Sequence, residues 1–320
     1  MDVADSNSGL DISVLIATYN RAEILRQTLE SMTHLDRDGL SVEFVVIDNN
    51  SSDNTEEVIK SFSDRLSIRY LFEPQPGKNC ALNKALDEVG LGRLVVFTDD
   101  DVEPQKDWLQ SIISTSKCWT QYSVFGGKQY PIFPPCHVPK WACHESSSIL
   151  LFAKHDYGDK EFVYPTKVFP FGANFWVRRE VFACGLCFNE NIGPRPKNRI
   201  MGSETSFLKL LAQKGYGMVY SPRAVVGHRI QSKQISIVNL LMRAYRSGRG
   251  AACIGTLCRK DLFDKHPILW YMIRIGVIFR MVFRFAVSLV PLAFQRPGRT
   301  LGAMGLIGYN VESFIIAMKR

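Results

Sequence analysis

Through the first 118 residues, short apolar runs alternate with polar clusters and with segments of helical spacing. Residues 11–16, 42–47, 68–72 and 94–98 are nearly all apolar, the pattern of strands buried on both faces. Residues 21–32, 55–62, 79–89 and 105–116 read as helices, with Asn20 placed to cap the first and Pro74, Pro76 and Gly77 turning into the third. Strands alternating with helices predict an α/β fold with a mostly parallel sheet covered on both faces. Ligands of such sheets sit beyond the carboxyl ends of the strands. Here those ends carry Thr18, Tyr19 and Asn20, then Asp48 and Asn49, then Glu73, then Asp99, Asp100 and Asp101.

The aspartate triplet is the most pointed of these clusters. Adjacent carboxylates repel, so a fold that gathers three of them needs a compensating cation. In an extended chain Asp99 and Asp101 project to one side, while Asp100 turns toward the other side or its own backbone. Two oxygen ligands on one side suit a hard ion, Mg²⁺ or Mn²⁺, which could also hold a diphosphate. A solvated turn with Asp101 or Glu103 opening the next helix accounts for the triplet as well, when it is taken alone.

Residues 123–230 are less regular. They hold a Pro-rich stretch over 131–139, aromatic clusters over 164–176, a helix over 207–214 and short strands over 218–220 and 224–226. Charge then divides the chain. Residues 231–320 hold 14 Lys and Arg against 3 Asp and Glu, whereas residues 1–230 hold 25 against 28, so the net +8 belongs to the last quarter. Those basic residues are interleaved with aliphatic runs rather than spread over a polar face, which speaks against a nucleic-acid partner.

Residues 268–294 form the most hydrophobic run, long enough to cross a bilayer, yet Arg274, Arg280 and Arg284 fall within one third of a helix circumference. A basic stripe opposite a wide apolar face predicts an amphipathic helix lying in a membrane interface; a buried core or dimer helix is the alternative. Pro291 would kink or end it, and residues 301–318 form a second apolar segment. The eight cysteines are scattered and the polar, acidic start is unlike a secretory signal, so free thiols in a reducing cytosol are expected. The CxxC spacing at Cys184 and Cys187, and the Cys136–His137 and Cys143–His144 pairs, are weak zinc signals with no second CxxC beside them.

The motifs SVLIATYN (13–20), VVIDNNSSD (45–53) and FTDDD (97–101), in this order, resemble those of the family 2 glycosyltransferases of bacterial, inverting type. The resemblance covers about residues 11–230 and implies a GT-A fold, a Rossmann-like sheet with helices on both faces. It also implies a division into a flexible start (1–10), a nucleotide-sugar-binding half (11–118), an acceptor half (119–230) and a basic, apolar helical tail on membranes (231–320). Thr18, Tyr19, Asn20, Asp48, Lys78, Asn79, Asp99 and Asp100 would then surround the donor. Asp48 would face a base N–H, which uracil and guanine offer and cytosine does not at N3. Asp99, Asp101 and His228, the last in the YSPRAVVGH ending (220–228), would hold the metal. FGANFWVRR (171–179) resembles the segment beside the acceptor site and makes Asn174 and Trp176 the acceptor contacts. MGSETSF (201–207) aligns with a Gly-Glu-Asp-Thr-x-Phe motif, so Glu204 stands in for the base-supplying Asp and Ser203 departs from the usual Glu.

The resemblance thus implies metal-assisted transfer of a sugar from a nucleotide-diphosphate sugar (UDP first, GDP or TDP next) to a hydroxyl of a glycan or lipid-linked acceptor. Surface polysaccharide or glycolipid synthesis, at an anionic membrane on the cytoplasmic inner face, is the expected setting. A non-catalytic, membrane-associated nucleotide-sugar-binding protein is the alternative, supported only by Ser203. A nucleotidyltransferase ranks below it, since the first strand is not followed by a Gly-rich loop.

Overall fold

The computed structural model of the chain describes residues 9–88, 90–135, 138, 152–195, 199–256, 304–309 and 311–312. The chain divides into two compact units, Met1–Ile132 with Ala153–Glu190 and Ser203–Arg229, and Phe133–Phe152 with Asn191–Gly202 and Ile230–Arg320.

The first unit is built on one sheet. Strands β1 (Ile12–Thr18), β2 (Val42–Asp48), β3 (Ile68–Phe72) and β4 (Leu94–Thr98) run parallel in the order β3-β2-β1-β4. Helices α1 (Ala22–Thr33), α2 (Thr55–Lys60) and α4 (Trp108–Cys118) cover one face through Leu25, Leu29, Val58, Ile59, Leu109 and Ile112. Helices α3 (Lys78–Leu86) and α5 (Ser203–Gln213) cover the other through Ala81, Leu82, Phe207 and Leu211. Two buried layers explain why β1, β2 and β4 read as nearly all apolar, while β3, at the sheet edge, is only half-buried.

Beyond β4 the sheet continues through strands less visible in the sequence. These are β5 (Val102–Pro104), β6 (Val124–Ile132), β7 (Phe162–Val163), β8 (Phe175–Arg178) and β9 (Met218–Arg229). The order goes on β4-β8-β6-β9-β5, with β7 also on β9. Strand β8 is antiparallel to both β4 and β6, so β6 and β9 run in the direction of β4 and end at the same edge. Two expectations are corrected here. The chain after the triplet forms edge strand β5, which tolerates Pro104 at its end, and α4 starts only at Trp108. The two short strands expected around Pro222 are one strand; its register against β6 jumps between Gly127 and Lys128, which leaves Pro222 outside the ladder.

In the second unit, α6 (Ile237–Thr256) follows a 3₁₀ turn whose Gln231 and Gln234 cap one another. Leu240 packs with Phe152, Ile230 and Ile235, and Ile254 with Ile192 and Ile200. Arg249 holds Glu312 at 2.6 Å. No helix among the described residues is long and apolar enough to cross a membrane. Residues 268–294, Cys136, His137, Cys143 and His144 lie outside the described residues. Cys184 and Cys187 are exposed free thiols.

Candidate active site

The carboxyl ends of β1, β2, β4 and β9 converge, and the chain leaving each bears a polar side chain. Asp100 follows β4 into the space above β1, where its Oδ2 accepts the Thr18 hydroxyl at 2.8 Å. Arg21, at the start of α1, bonds Asp100 Oδ1 with one guanidinium nitrogen and Asp101 Oδ2 at 2.7 Å with the other. Burial is the largest influence on Asp100 and raises its pKa, with Asp101 and Asp99 adding to the rise against Arg21 and Thr18. Burial acts upward on Asp101 too, but His228 and Arg21 outweigh it and hold this carboxyl well below the usual range. Arg21 itself, clamped between two carboxylates, stays firmly cationic against its burial. It was not among the residues singled out from the sequence. The signal was there: an arginine one residue past the first strand's exit, opposite three aspartates.

Asp99, Asp101 and His228 bring one ligand atom each to within 4.8 Å of one another. His228 Nε2 stands 3.3 Å from Asp101 Oδ1, yet Asp101 Oδ1 and His228 Nδ1 are buried without a hydrogen-bond partner among the described residues. Orphaned buried acceptors are costly. Two carboxylates, an imidazole and these orphaned atoms fit a divalent ion.

On the other side of Asp99 stands Lys78, whose Nζ lies 2.5 Å from Asp99 Oδ1 and 2.5 Å from Glu204 Oε1. Burial acts to lower its pKa, but the two carboxylates prevail and raise it. The lysine reaches this point because α3 begins on Gly77, whose φ of 142° few other residues adopt, and whose N–H is held by Asn49 Oδ1 at 2.7 Å. Glu204 lies in the first turn of α5 against Gly172; a Cβ at Gly172 would sit 2.7 Å from Glu204 Cδ. The segment before β8 therefore makes room for the carboxylate.

Several expected roles change with the geometry. Asn174 is fully buried: its Oδ1 accepts the Trp108 indole N–H at 3.0 Å, and its Nδ2 donates to the carbonyls of Lys128 and Ala224. Trp176 is also fully buried, with its indole N–H on Ser116. Neither has exposed surface to offer an acceptor; both side chains bond within the core. Asn79, expected beside the donor, is buried and donates to the Asn189 carbonyl at 2.7 Å. Its Oδ1 accepts the hydroxyl of Ser203, so the residue that departs from the family pattern joins α5 to α3. Asn20 does not cap α1. It has a left-handed φ of 50° and accepts the Ser52 N–H, while Asp53 accepts the Ala22 N–H at 3.0 Å. Asp48 is buried, accepts the Ser51 N–H at 2.9 Å, and faces Tyr70, whose hydroxyl is pushed up to about 12 by burial and by that carboxylate. Tyr19 beside it is exposed.

Residues 13–186, more than half of the chain, match the family described as Glycosyl transferase family 2. The glycosyltransferase AglE of Haloferax volcanii is 26% identical over 266 residues, covering 82% of this chain and 80% of that protein. A GalNAc(5)-diNAcBac-PP-undecaprenol beta-1,3-glucosyltransferase of Campylobacter jejuni is 35% identical over 95 residues, 29% of this chain and 30% of its own. Among solved structures, a mannosyltransferase of Pyrobaculum calidifontis in complex with GDP-Man and Mn²⁺ shares the fold with a TM-score of 0.62. It is 18% identical, and the match covers 95% of this chain and 86% of that one.

Proposed function

The chain belongs to glycosyl transferase family 2, and from that premise we propose that it is an inverting transferase moving a sugar from a nucleotide-diphosphate donor to a hydroxyl acceptor. The observation that carries this reading is the joining of two sites by one side chain. Lys78 links Asp99, a member of the Asp99–Asp101–His228 set, to Glu204, the carboxylate in the first turn of α5.

In this reading Asp99, Asp101 and His228 hold Mg²⁺ or Mn²⁺, which when bound supplies positive charge to the departing diphosphate. Tyr19 and Asp48, with Thr18 behind them, present an exposed ring and a carboxylate to the nucleoside, and a UDP-sugar fits the latter. Lys78 places a second cation at the diphosphate side. Arg21 offsets part of the charge of Asp100 and Asp101, which helps the triplet to stand together before any donor arrives.

Glu204 then takes the acceptor hydroxyl proton while that oxygen bonds the anomeric carbon and the bond from that carbon to the diphosphate breaks. A positioned base of this kind contributes about 10²–10⁴-fold. A lipid-linked or glycan acceptor, used at an anionic membrane surface reached through the basic tail, fits the charge division of the sequence. The test is the variant pair Asp101→Asn and Glu204→Gln. Both should abolish transfer, and only Asp101→Asn should also weaken Mn²⁺-dependent UDP binding. Full turnover by Glu204→Gln would assign the base elsewhere.

A further inference from the structure

Register across the sheet extends the site beyond the donor. Phe97 of β4, Phe175 of β8 and Gly126 of β6 lie in one row, and Phe97 and Phe175 stack on the face covered by α3 and α5. Two residues further along, Asp99 and Lys128 stand on that same face at the catalytic edge. Strands β4 and β6 are two strand spacings apart there, about 10 Å. Glu204 and Gly172 lie on this face as well.

What surrounds Lys128 is unlike the rest of the surface. Its Nζ holds Asp156 at 3.0 Å and Asp159 at 3.5 Å. Tyr157, the next residue, is 51% exposed although its ring packs nearly perpendicular to four others, those of His155, Phe162, Tyr164 and Tyr220, at 4.9–6.2 Å. Its N–H also donates to the Tyr220 hydroxyl at 3.2 Å. An exposed aromatic ring on a flexible stem loses conformational freedom on binding, which weakens it; this one is already fixed, with half of its surface in solvent. From it the aromatic contacts lead back to the base: His155 meets Phe171 at 5.5 Å, and Phe171 precedes Gly172 against Glu204.

We propose that Tyr157, with Asp156 and Lys128 beside it, is a subsite for an uncharged sugar ring of the acceptor. The inference rests on the transferase reading of the Glu204 site. A fixed aromatic face takes the apolar C–H side of a pyranose. The neighbouring carboxylate accepts from its hydroxyls and the ammonium donates to them. Asp156 and Asp159 offset the charge of Lys128, and with Lys154 also close enough to act on Asp156 the spot has no surplus positive charge to draw a phosphate or a uronic acid.

The test is capture of the full-length protein, with Mn²⁺ and UDP present, on an array of immobilised neutral and uronic-acid-bearing oligosaccharides. Capture on neutral oligosaccharides is expected, reduced at least tenfold by Tyr157→Ala and kept within about twofold by Tyr157→Phe. Capture of Tyr157→Ala equal to that of the unmodified protein, capture on acidic glycans alone, or no capture at all would overturn the subsite. Titration of UDP with Mn²⁺ into the unmodified protein is read separately. Absence of that binding counts against the transferase reading itself, whereas normal UDP binding with no effect of Tyr157→Ala removes only the subsite.

Discussion

Arg21 is the residue on which the charge balance of the site turns. Its loss leaves Asp100 and Asp101 buried beside each other with the Thr18 hydroxyl and His228 as partners, and breaking a buried pair from one side costs about 3–5 kcal/mol. The guanidinium is 31% exposed, so Arg21→Ala should fall at the low end, about 3 kcal/mol, in chemical denaturation. Mn²⁺ should restore part of the loss by supplying the missing charge; a variant as stable as the parent would show that the triplet does not depend on this cation. His155 makes a second prediction at this scale. Burial pushes its imidazole down to about 4, against about 6.5 for a free histidine. Below pH 6.5 the unfolded chain takes up a proton that the folded chain refuses until about pH 4, so stability should fall across that window by up to about 3 kcal/mol. In His155→Gln the slope between pH 6.5 and 4 should flatten, whatever the variant's stability at neutral pH.

At the scale of elements, the parallel half was legible because β1, β2 and β4 are largely buried on both faces and β1, β2 and β3 each lead into a helix of ordinary spacing. Boundaries slipped where distant parts of the chain intervene, as where Asp53 rather than Asn20 caps α1 and where pairing of β5 with β9 delays α4. The antiparallel return was not legible. Strand β6 carries Gly126, Gly127 and Pro131, and β9 carries Pro222, which interrupt any apolar pattern. Asn174 and Trp176 misled for a related reason. A polar residue in a motif reads as a contact, and nothing local reveals that Trp108, 66 positions away, uses its oxygen. The pairing of Lys78 with Glu204 spans 126 positions and was likewise invisible, although each residue had been singled out. The approach of β8 to α5 gives the matching prediction. Gly172→Ala should push Glu204 away from Lys78 and lower kcat at least tenfold, with the melting temperature moved by no more than a few degrees. Unchanged kcat would mean that the position of Glu204 is not set by this contact.

The whole molecule carries its charge unevenly, net −3 through residue 230 and +11 beyond. A basic tail of this size is attracted to anionic lipid at close range and is screened by salt. The full-length protein should therefore co-sediment with vesicles containing phosphatidylserine at low ionic strength and release at high salt. Equal sedimentation with purely zwitterionic vesicles would make the attraction apolar rather than electrostatic. The proposed catalysis depends on none of this, because its groups all lie in the first unit. It stands on Asp99, Asp101, His228 and Glu204 serving one reaction, and hydrolysis of a UDP-, GDP- and TDP-sugar panel by the purified protein tests that most directly. The expected result is release of one nucleoside diphosphate, UDP first, that requires Mn²⁺ or Mg²⁺ and is lost in Asp101→Asn. Release that persists in EDTA, or undiminished release by Asp101→Asn, would contradict it.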